Sequence, residues 1–191
     1  MVRIFPSSHE VGHDVVYFYT LAAPPDYSKP GPDVFLKAIG MSAAEWLAKS
    51  RTYSDVVKME AWSNVYSHGG ISKGDVVRAG LADPPAGKTG DYLKYANEYE
   101  SPMRAHMVKN GVASAMQTWR LLLAPERAPY NFVNLASYAK GDGPFQPLPS
   151  RRKTFDAVHP GKDYHAYMEL SDAAVVSAGT VLYRVEAAIW K

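Results

Sequence analysis

The second half of the chain shows the clearest alternation of apolar and polar positions. Residues 76–81 form a short apolar run that predicts a strand, and residues 91–109 predict a helix. In that helix the apolar side chains recur at the spacing of one helical face. Asn110 and Gly111 supply its stop signal. The residues on the apolar face are Tyr92, Ala96, Tyr99, Met103 and Met107.

The rest of the second half completes a mixed order of strands and helices. Residues 112–123 and 130–139 predict two strands joined by the hairpin-like connection APERAP. The Gly- and Pro-rich stretch KGDGPFQPLPS follows, and we interpret the adjoining basic triplet RRK as a solvated loop. Residues 163–178 predict a second helix, which Gly179 ends, and residues 181–190 predict a final strand. The order β-α-β-β-α-β is that of the ferredoxin-like, or split βαβ, arrangement of the α+β class.

The first half resembles an incomplete copy of the second. Its apolar segment VVYFYTLA belongs to a predicted strand pair, and Ser42 with Glu45 predicts a helix start through a capping box. This weak internal repeat predicts two units, an incomplete β-β-α-β unit over residues 1–68 and a complete one over residues 74–191. The linker SHGGISKG joins them. Each copy ends in an apolar strand with a Glu and a Trp, namely Glu60 and Trp62, and Glu186 and Trp190.

The incomplete unit lacks an opening strand and helix. The opening strand of a ferredoxin-like sheet is central, so its absence leaves an edge unpaired. Either the chain has been shortened or another strand fills the gap. An apolar patch left uncovered there favours self-association, so a homo-oligomer is predicted. We expect a soluble protein, cytoplasmic as written and exported if an N-terminal segment has been lost.

Composition and charge exclude several classes of function. The formal net charge is +2 with both signs scattered, which gives no electrostatic basis for binding nucleic acid or a membrane surface. The chain has no cysteine, so disulfides and thiol catalysis are excluded. No apolar run has the length of a membrane span. Gly87-Lys88-Thr89 matches only the end of a phosphate-binding loop, because Pro84 and Pro85 lack the N–H groups that cradle phosphate.

Four motifs of the second half resemble the dimeric α/β-barrel superfamily and, within it, an uncharacterised bacterial group. They are PPAGKTGDYLKYANEYESPMRAHMVKNG, MQTWRLLLAP, DAVHPGKDYHAYMELSDAA and VEAAIW. The resemblance implies tandem ferredoxin-like units that pack sheet to sheet and enclose a barrel. Members of the superfamily bind haem, oxidise aromatic compounds without a cofactor or isomerise small lactones. The resemblance therefore specifies the architecture and leaves the reaction open.

The resemblance also points to the first helix of the second half. The bacterial group carries a His and an Arg there in a Pro-x-His-x-x-Arg arrangement, whereas Pro102 is here followed by Arg104 and then His106. Arg104 and His106 are accordingly the catalytic candidates. The alternative is structural, because His106 lies beside the apolar stripe near a helix C-terminus, where positive charge is favoured.

Aromatic and polar side chains of the helices and the hairpin are candidates for a ligand pocket. Two asparagines interrupt an otherwise apolar strand with opposite parity, so one faces the helices and the other faces the barrel. A histidine at the start of the second helix can reach a cavity or solvent. The alternative for the aromatic residues is a core of helices packed on a sheet. The ligand-binding candidates are Tyr92, Tyr99, Trp119, Tyr130, Asn131, Asn134 and His165.

No metal site is predicted. His9 and His13 have the spacing of metal ligands on a helix, but Gly12 places them in a turn between strands. The neighbouring carboxylates, Glu10 and Asp14, do not complete a site.

Two functions are compatible with these patterns. The first is a small-molecule-binding α/β-barrel protein that takes an apolar or aromatic ligand, with oxygenase-like or haem-related chemistry. Haem is compatible with the resemblance, but no residue pattern requires it. The alternative is a non-catalytic interaction or assembly module, which the unpaired sheet edge and the lack of a recognisable catalytic set favour. The sequence does not decide whether the protein is an enzyme.

Overall fold

In a computed structural model the strands form one antiparallel sheet. The structure describes residues 2–4, 15–16, 40–42, 44–45, 48–49, 52, 60–123, 130–139, 143–174 and 176–185. The order of the described strands across the sheet is β2-β1-β7-β4-β6-β5-β3, and neighbouring strands are antiparallel. The strands are β1 (Val2–Ile4), β2 (Val15–Val16), β3 (Ala61–Gly69), β4 (Val76–Ala82), β5 (Ala115–Leu123), β6 (Phe132–Tyr138) and β7 (Ser177–Val185).

Within residues 76–185 two groups of helices connect the strands. After β4 come α1 (Thr89–Tyr95), a π-helical turn (Ala96–Glu100) and α2 (Ser101–Lys109). After β6 come a 3₁₀ turn (Gly143–Phe145), α3 (Arg151–Val158) and α4 (Tyr164–Ala174). The mixed α+β class and the predicted order β-α-β-β-α-β are confirmed over residues 76–185. None of the helices in the described part of the chain has the length and apolar character needed to cross a membrane.

Strands from the first half lie in the same sheet as those of the second. β3 pairs with β5, from Ala61 opposite Leu123 to Gly69 opposite Ala115, and β1 pairs with both β7 and β2. The described strands therefore do not show the sheet-to-sheet packing that the sequence predicted. Edge pairing satisfies backbone N–H and C=O groups of β5 and β7 that would otherwise be unpaired. The division into units 1–68 and 74–191, the superfamily and the homo-oligomer stay predictions.

The chain separates into two compact units, Met1–Val16 with Glu60–Lys191, and Tyr17–Met59. In the second of these the predicted capping box is confirmed. Ser42 N donates to Glu45 Oε2 at 2.8 Å, and Glu45 N donates to Ser42 Oγ at 3.2 Å. The hydrogen bonds from Ser42 lower the pKa of the Glu45 carboxyl. The predictions for His9, His13 and Trp190 fall outside the described residues.

Two segments of the second half differ from the prediction. The last helix ends at Ala174 because residues from Ser177 onward pair with β4, and Gly179 lies inside β7. Gly179 has a φ of +150°, which glycine adopts without strain. The RRK triplet begins helix α3 and is not a loop, since the Ser150 hydroxyl accepts a hydrogen bond from Lys153 N.

Alternate residues of the strands face opposite sides of the sheet. On one side, the helix face, Tyr92 of α1 packs on Phe132 of β6 with ring centroids 4.2 Å apart. The other side, the apolar face, carries a buried cluster against which Trp62, Trp119 and Tyr130 pack. That cluster consists of Val77, Ala79, Leu81, Val133, Leu135, Val181, Tyr183 and Val185.

Candidate functional site

A cavity of about 200 Å³ lies on the helix face of the sheet. We call it the helix-face cavity. The sheet contributes Tyr66 from β3 and Asn134 from β6. The helical segments contribute the rest of its lining, which is Tyr92, Tyr95, Ala96, Glu100, Arg104, Arg151 and Ser171.

Glu100 lies at the centre of the polar wall of this cavity. Its side chain is only 7% exposed. Arg104 donates to Glu100 Oε2 from Nε at 2.9 Å and from Nη2 at 2.6 Å. The hydroxyls of Tyr95 and Tyr167 donate to Oε1 at 2.9 Å and 2.5 Å, and Nη2 of Arg151 lies 3.2 Å from the same oxygen. Both carboxylate oxygens are therefore fully engaged.

These contacts determine the charge of Glu100. Burial opposes ionisation, but the Arg104 and Arg151 guanidinium groups and the hydroxyls of Tyr167 and Tyr95 outweigh it and lower the pKa of Glu100 to about 2. The group is a carboxylate at neutral pH. A carboxylate with so low a pKa and four donors is a poor general base.

The local sequence explains how Glu100 reaches this position. Pro102 has no N–H and cannot continue the regular α-helical ladder. The chain widens just before it into the π-helical turn, in which the Ser101 N–H bonds to the Ala96 carbonyl. Single π-helical turns within helices are frequent at functional sites. Glu100 and Arg104 then stand four residues apart, where side chains of a helix meet.

Arg151, the first residue of α3, closes the polar wall from the other group of helices. Its Nε donates to the Tyr167 hydroxyl at 2.6 Å and its Nη2 to the Tyr95 hydroxyl at 2.5 Å. Ser171 Oγ is a further neighbour of Nη2 at 3.2 Å. Burial disfavours the charge on Arg151, but Tyr95, Glu100 and Tyr167 outweigh it and raise its pKa. Arg151 therefore stays cationic.

Asn134 lines the sheet side of the cavity, and two hydroxyls bond its amide. Thr118 Oγ1 donates to Asn134 Oδ1 at 2.6 Å. The Tyr92 hydroxyl lies 3.0 Å from Asn134 Nδ2 and 3.2 Å from Oδ1, so the pair can bond in either direction. Burial raises the pKa of Tyr92 and keeps its phenol protonated.

The structure brings three of the predicted site residues together, and they are Tyr92, Arg104 and Asn134. The parity prediction holds for Asn134, which faces the helices. His106 does not line the cavity. It is half-buried on α2, and its backbone carbonyl accepts from Asn110.

The other predicted ligand residues lie elsewhere. Trp119 and Tyr130 are half-buried and pack against the apolar face, where the Tyr130 hydroxyl donates to Glu60. Tyr99 stacks on Phe155. The remaining two are exposed and interact with carboxylates, Asn131 with Asp83 and His165 with Glu169.

Most residues of the polar wall were not predicted from the sequence. The i,i+4 spacing of Glu100 and Arg104 was an available signal for a pair on one side of the helix. The helix cap at Ser150 was a signal that Arg151 begins a helix, but no local pattern places Arg151 beside Glu100. Tyr66 and Ser171 carried no signal of their own.

The lining residues can donate hydrogen bonds and positive charge to an acceptor. In the described part of the chain no three His, Cys, Asp or Glu side chains come close enough to hold a metal. The cavity does not fit a haem either. No histidine lines it, and its volume is close to the roughly 150 Å³ that holds benzene, which is far smaller than a porphyrin.

Comparison with known proteins gives no family for this chain. No protein-family model matches it, and no curated protein matches it. Among solved structures it is similar to a protein from Lactobacillus acidophilus NCFM that is described as a "putative monooxygenase". The TM-score is 0.43 at 12% identity, over 80% of this chain and 68% of the other. A likeness of this size supports no statement about the reaction.

Proposed function

We propose that this protein binds a small molecule of about single-ring size in the helix-face cavity. One observation carries the proposal: a cavity of about 200 Å³ is lined by three tyrosines and an alanine together with a set of paired polar groups. Binding sites for small molecules combine these two features, an apolar body and a few polar groups that fix orientation.

The size and lining of the cavity restrict the ligand. An apolar cavity of roughly 150 Å³ is enough for benzene, so this one holds a single ring with a small substituent. Tyr66, Tyr92 and Ala96 offer an apolar surface to such a ring. Because most of the exposed lining is polar, we propose an aromatic ligand that carries a polar group, and haem-related chemistry is not part of the proposal.

The polar groups favour binding and orientation over proton abstraction. Glu100, the carboxylate among the lining residues, is ionised and engaged by four donors. The tyrosine hydroxyls keep their protons at neutral pH because burial raises the pKa of Tyr92 and Tyr95. An oxygen of the ligand can accept from the arginines and from Tyr92, whose own oxygen can accept from Asn134 Nδ2.

Thermal unfolding with a panel of single-ring compounds tests the proposal. The panel contains phenol, benzoate, benzamide and benzyl alcohol. A ligand that binds the folded chain raises the midpoint, because it stabilises that chain by RT ln(1 + L/Kd), where L is the free ligand concentration. We expect at least one compound to raise the midpoint. If none raises it at millimolar concentration, the proposal is wrong.

A cavity-filling variant supplies the structural control. Ala96→Leu places extra side-chain volume in the cavity, whereas Ala166→Leu makes the same change at an exposed position of α4. We expect Ala96→Leu to abolish stabilisation by the ligand while its circular dichroism stays native, and Ala166→Leu to respond like the original chain. Equal stabilisation of both variants would place the ligand elsewhere.

A further inference from the structure

The helix-face cavity has one positive charge in excess. Its lining holds two guanidinium groups, Arg104 and Arg151, and one carboxylate, Glu100. The arginine side chains are 33% and 41% exposed, so part of each reaches the cavity or solvent.

The two arginines differ in the donors that they leave for a ligand. Arg104 bonds Glu100 through Nε and Nη2, its Nη1 faces Met116 Sδ at 4.0 Å, a weak acceptor, and the Tyr66 hydroxyl is a further hydrogen-bonding neighbour of Arg104. Arg151 uses Nε and Nη2, and within the described residues its Nη1 has no hydrogen bond. Charge-assisted bonds from guanidinium groups to carboxylates are among the strongest in proteins.

Resting on the proposed function, we propose that the ligand is an organic monoanion of single-ring size, such as an aromatic carboxylate. Its carboxylate accepts from the unused donors of Arg104 and Arg151, and its ring lies against Tyr66 and Tyr92. A single negative charge neutralises the cavity. A cationic ligand adds to the positive charge, and a neutral one leaves the guanidinium donors with a weaker acceptor.

Isothermal titration with three ligands of matched shape tests the charge. Benzoate, benzamide and benzylamine share the ring and differ in charge. We expect benzoate to bind about tenfold tighter than benzamide, because hydrogen bonds to a charged group are stronger, and benzylamine to bind more weakly than either. Equal affinity for benzoate and benzamide would contradict the proposal that the ligand is a monoanion. The proposal that the helix-face cavity binds a small molecule would be unaffected. If no compound of this set or of the larger panel binds, both proposals are wrong.

A pair of variants at neighbouring positions tests whether Arg151 binds the ligand. Arg151→Gln removes one cavity charge, while Arg152→Gln removes the next charge along the helix, which is exposed and paired with Asp156. We expect Arg151→Gln to weaken benzoate about tenfold and benzamide by a smaller factor, and Arg152→Gln to change neither. If Arg151→Gln binds benzoate as tightly as the original chain, Arg151 does not bind the carboxylate of the ligand. Should that variant not fold, the three-ligand comparison on the unaltered chain still decides the question.

Discussion

The two faces of the sheet are built from the same strands and are stabilised in different ways. Along β6, Val133 and Leu135 join the apolar face, and Asn134 between them lies on the helix face. The apolar face is stabilised by burial, which has no directional requirement. The wall around Glu100 depends on hydrogen bonds of defined geometry, since a buried polar group without a partner is destabilising.

This difference separates the scaffold from the site. Exchange of one buried aliphatic side chain for another of similar volume changes an apolar cluster little. The polar wall has no such tolerance, because each group satisfies several others: Glu100 alone accepts from both arginines and two tyrosines. We therefore expect the apolar face to respond only to changes of buried volume, and ligand binding to respond only to changes on the helix face.

The largest effect is expected from removing the centre of the polar wall. Glu100→Ala leaves the Nε and Nη2 donors of Arg104 without their acceptor. Breaking a buried ion pair by removal of one partner costs about 3–5 kcal/mol. Urea unfolding followed by circular dichroism measures the loss.

Glu98 provides the control for this measurement, because it is an exposed carboxylate on the same π-helical turn. Glu98→Ala should change the free energy of unfolding by less than about 0.5 kcal/mol. Similar losses for the two variants would mean that the polar wall does not contribute as the structure indicates.

The apolar face should respond to a change of buried volume. Leu135, only 6% exposed, belongs to its cluster, whereas Leu122 on β5 is 55% exposed. Leu135→Ala should cost about 2–5 kcal/mol through lost burial and the cavity that remains. Leu122→Ala should cost less than about 0.5 kcal/mol. The same unfolding experiment compares them, and equal costs would contradict the assignment of the two faces.

The pH dependence of the free energy of unfolding should show how much the ionised Glu100 carboxylate stabilises the folded chain. Its pKa is about 2 in the folded chain against an ordinary value of 4.5. Because the folded value is the lower one, this stabilisation is fully present above pH 4.5 and is lost as the pH falls towards 2. At about 1.4 kcal/mol for each pKa unit, the loss is about 3 kcal/mol.

The variant Glu100→Gln keeps the shape of the side chain and cannot titrate. The difference in unfolding free energy between it and the original chain should be constant from pH 7 to 5 and should shrink below that. A difference that stays constant down to pH 3 would show that Glu100 has an ordinary pKa.

Much of the scaffold could be predicted from the sequence, because the patterns that specify its helices and strands are local. Period and stop signals located the helix that ends at Lys109, and apolar runs bounded by turn residues located β4, β5 and β6. The pairing of β3 with β5 was missed, since it joins residues far apart in the chain and leaves no trace in either segment. Register and edge partners are set by the whole sheet.

The site was less predictable than the scaffold for the same reason. Tyr92 and Asn134 stood out as aromatic or polar positions of their elements, and Arg104 stood out through the family resemblance. Arg151 and Ser171 come from a separate group of helices and join the site only through tertiary packing. The π-helical turn depends on Pro102, a signal that indicates an irregularity but does not by itself predict a buried Glu100.

The smallest effect is expected from one hydroxyl on the helix face. Thr118 is fully buried, and its Oγ1 donates to Asn134 Oδ1 at 2.6 Å. Thr118→Val keeps the β-branched shape and removes this bond, which should cost about 1 kcal/mol, since Tyr92 remains as a partner for the amide. Thr180→Val on β7 is the matched control, because Thr180 is exposed and the change should stay within about 0.5 kcal/mol.

Freed from Thr118, the Asn134 amide can rotate, so benzoate affinity should also fall in Thr118→Val and not in Thr180→Val. Loss of stability without loss of affinity would assign Thr118 and Asn134 to the scaffold and confine the ligand contacts to the helical walls.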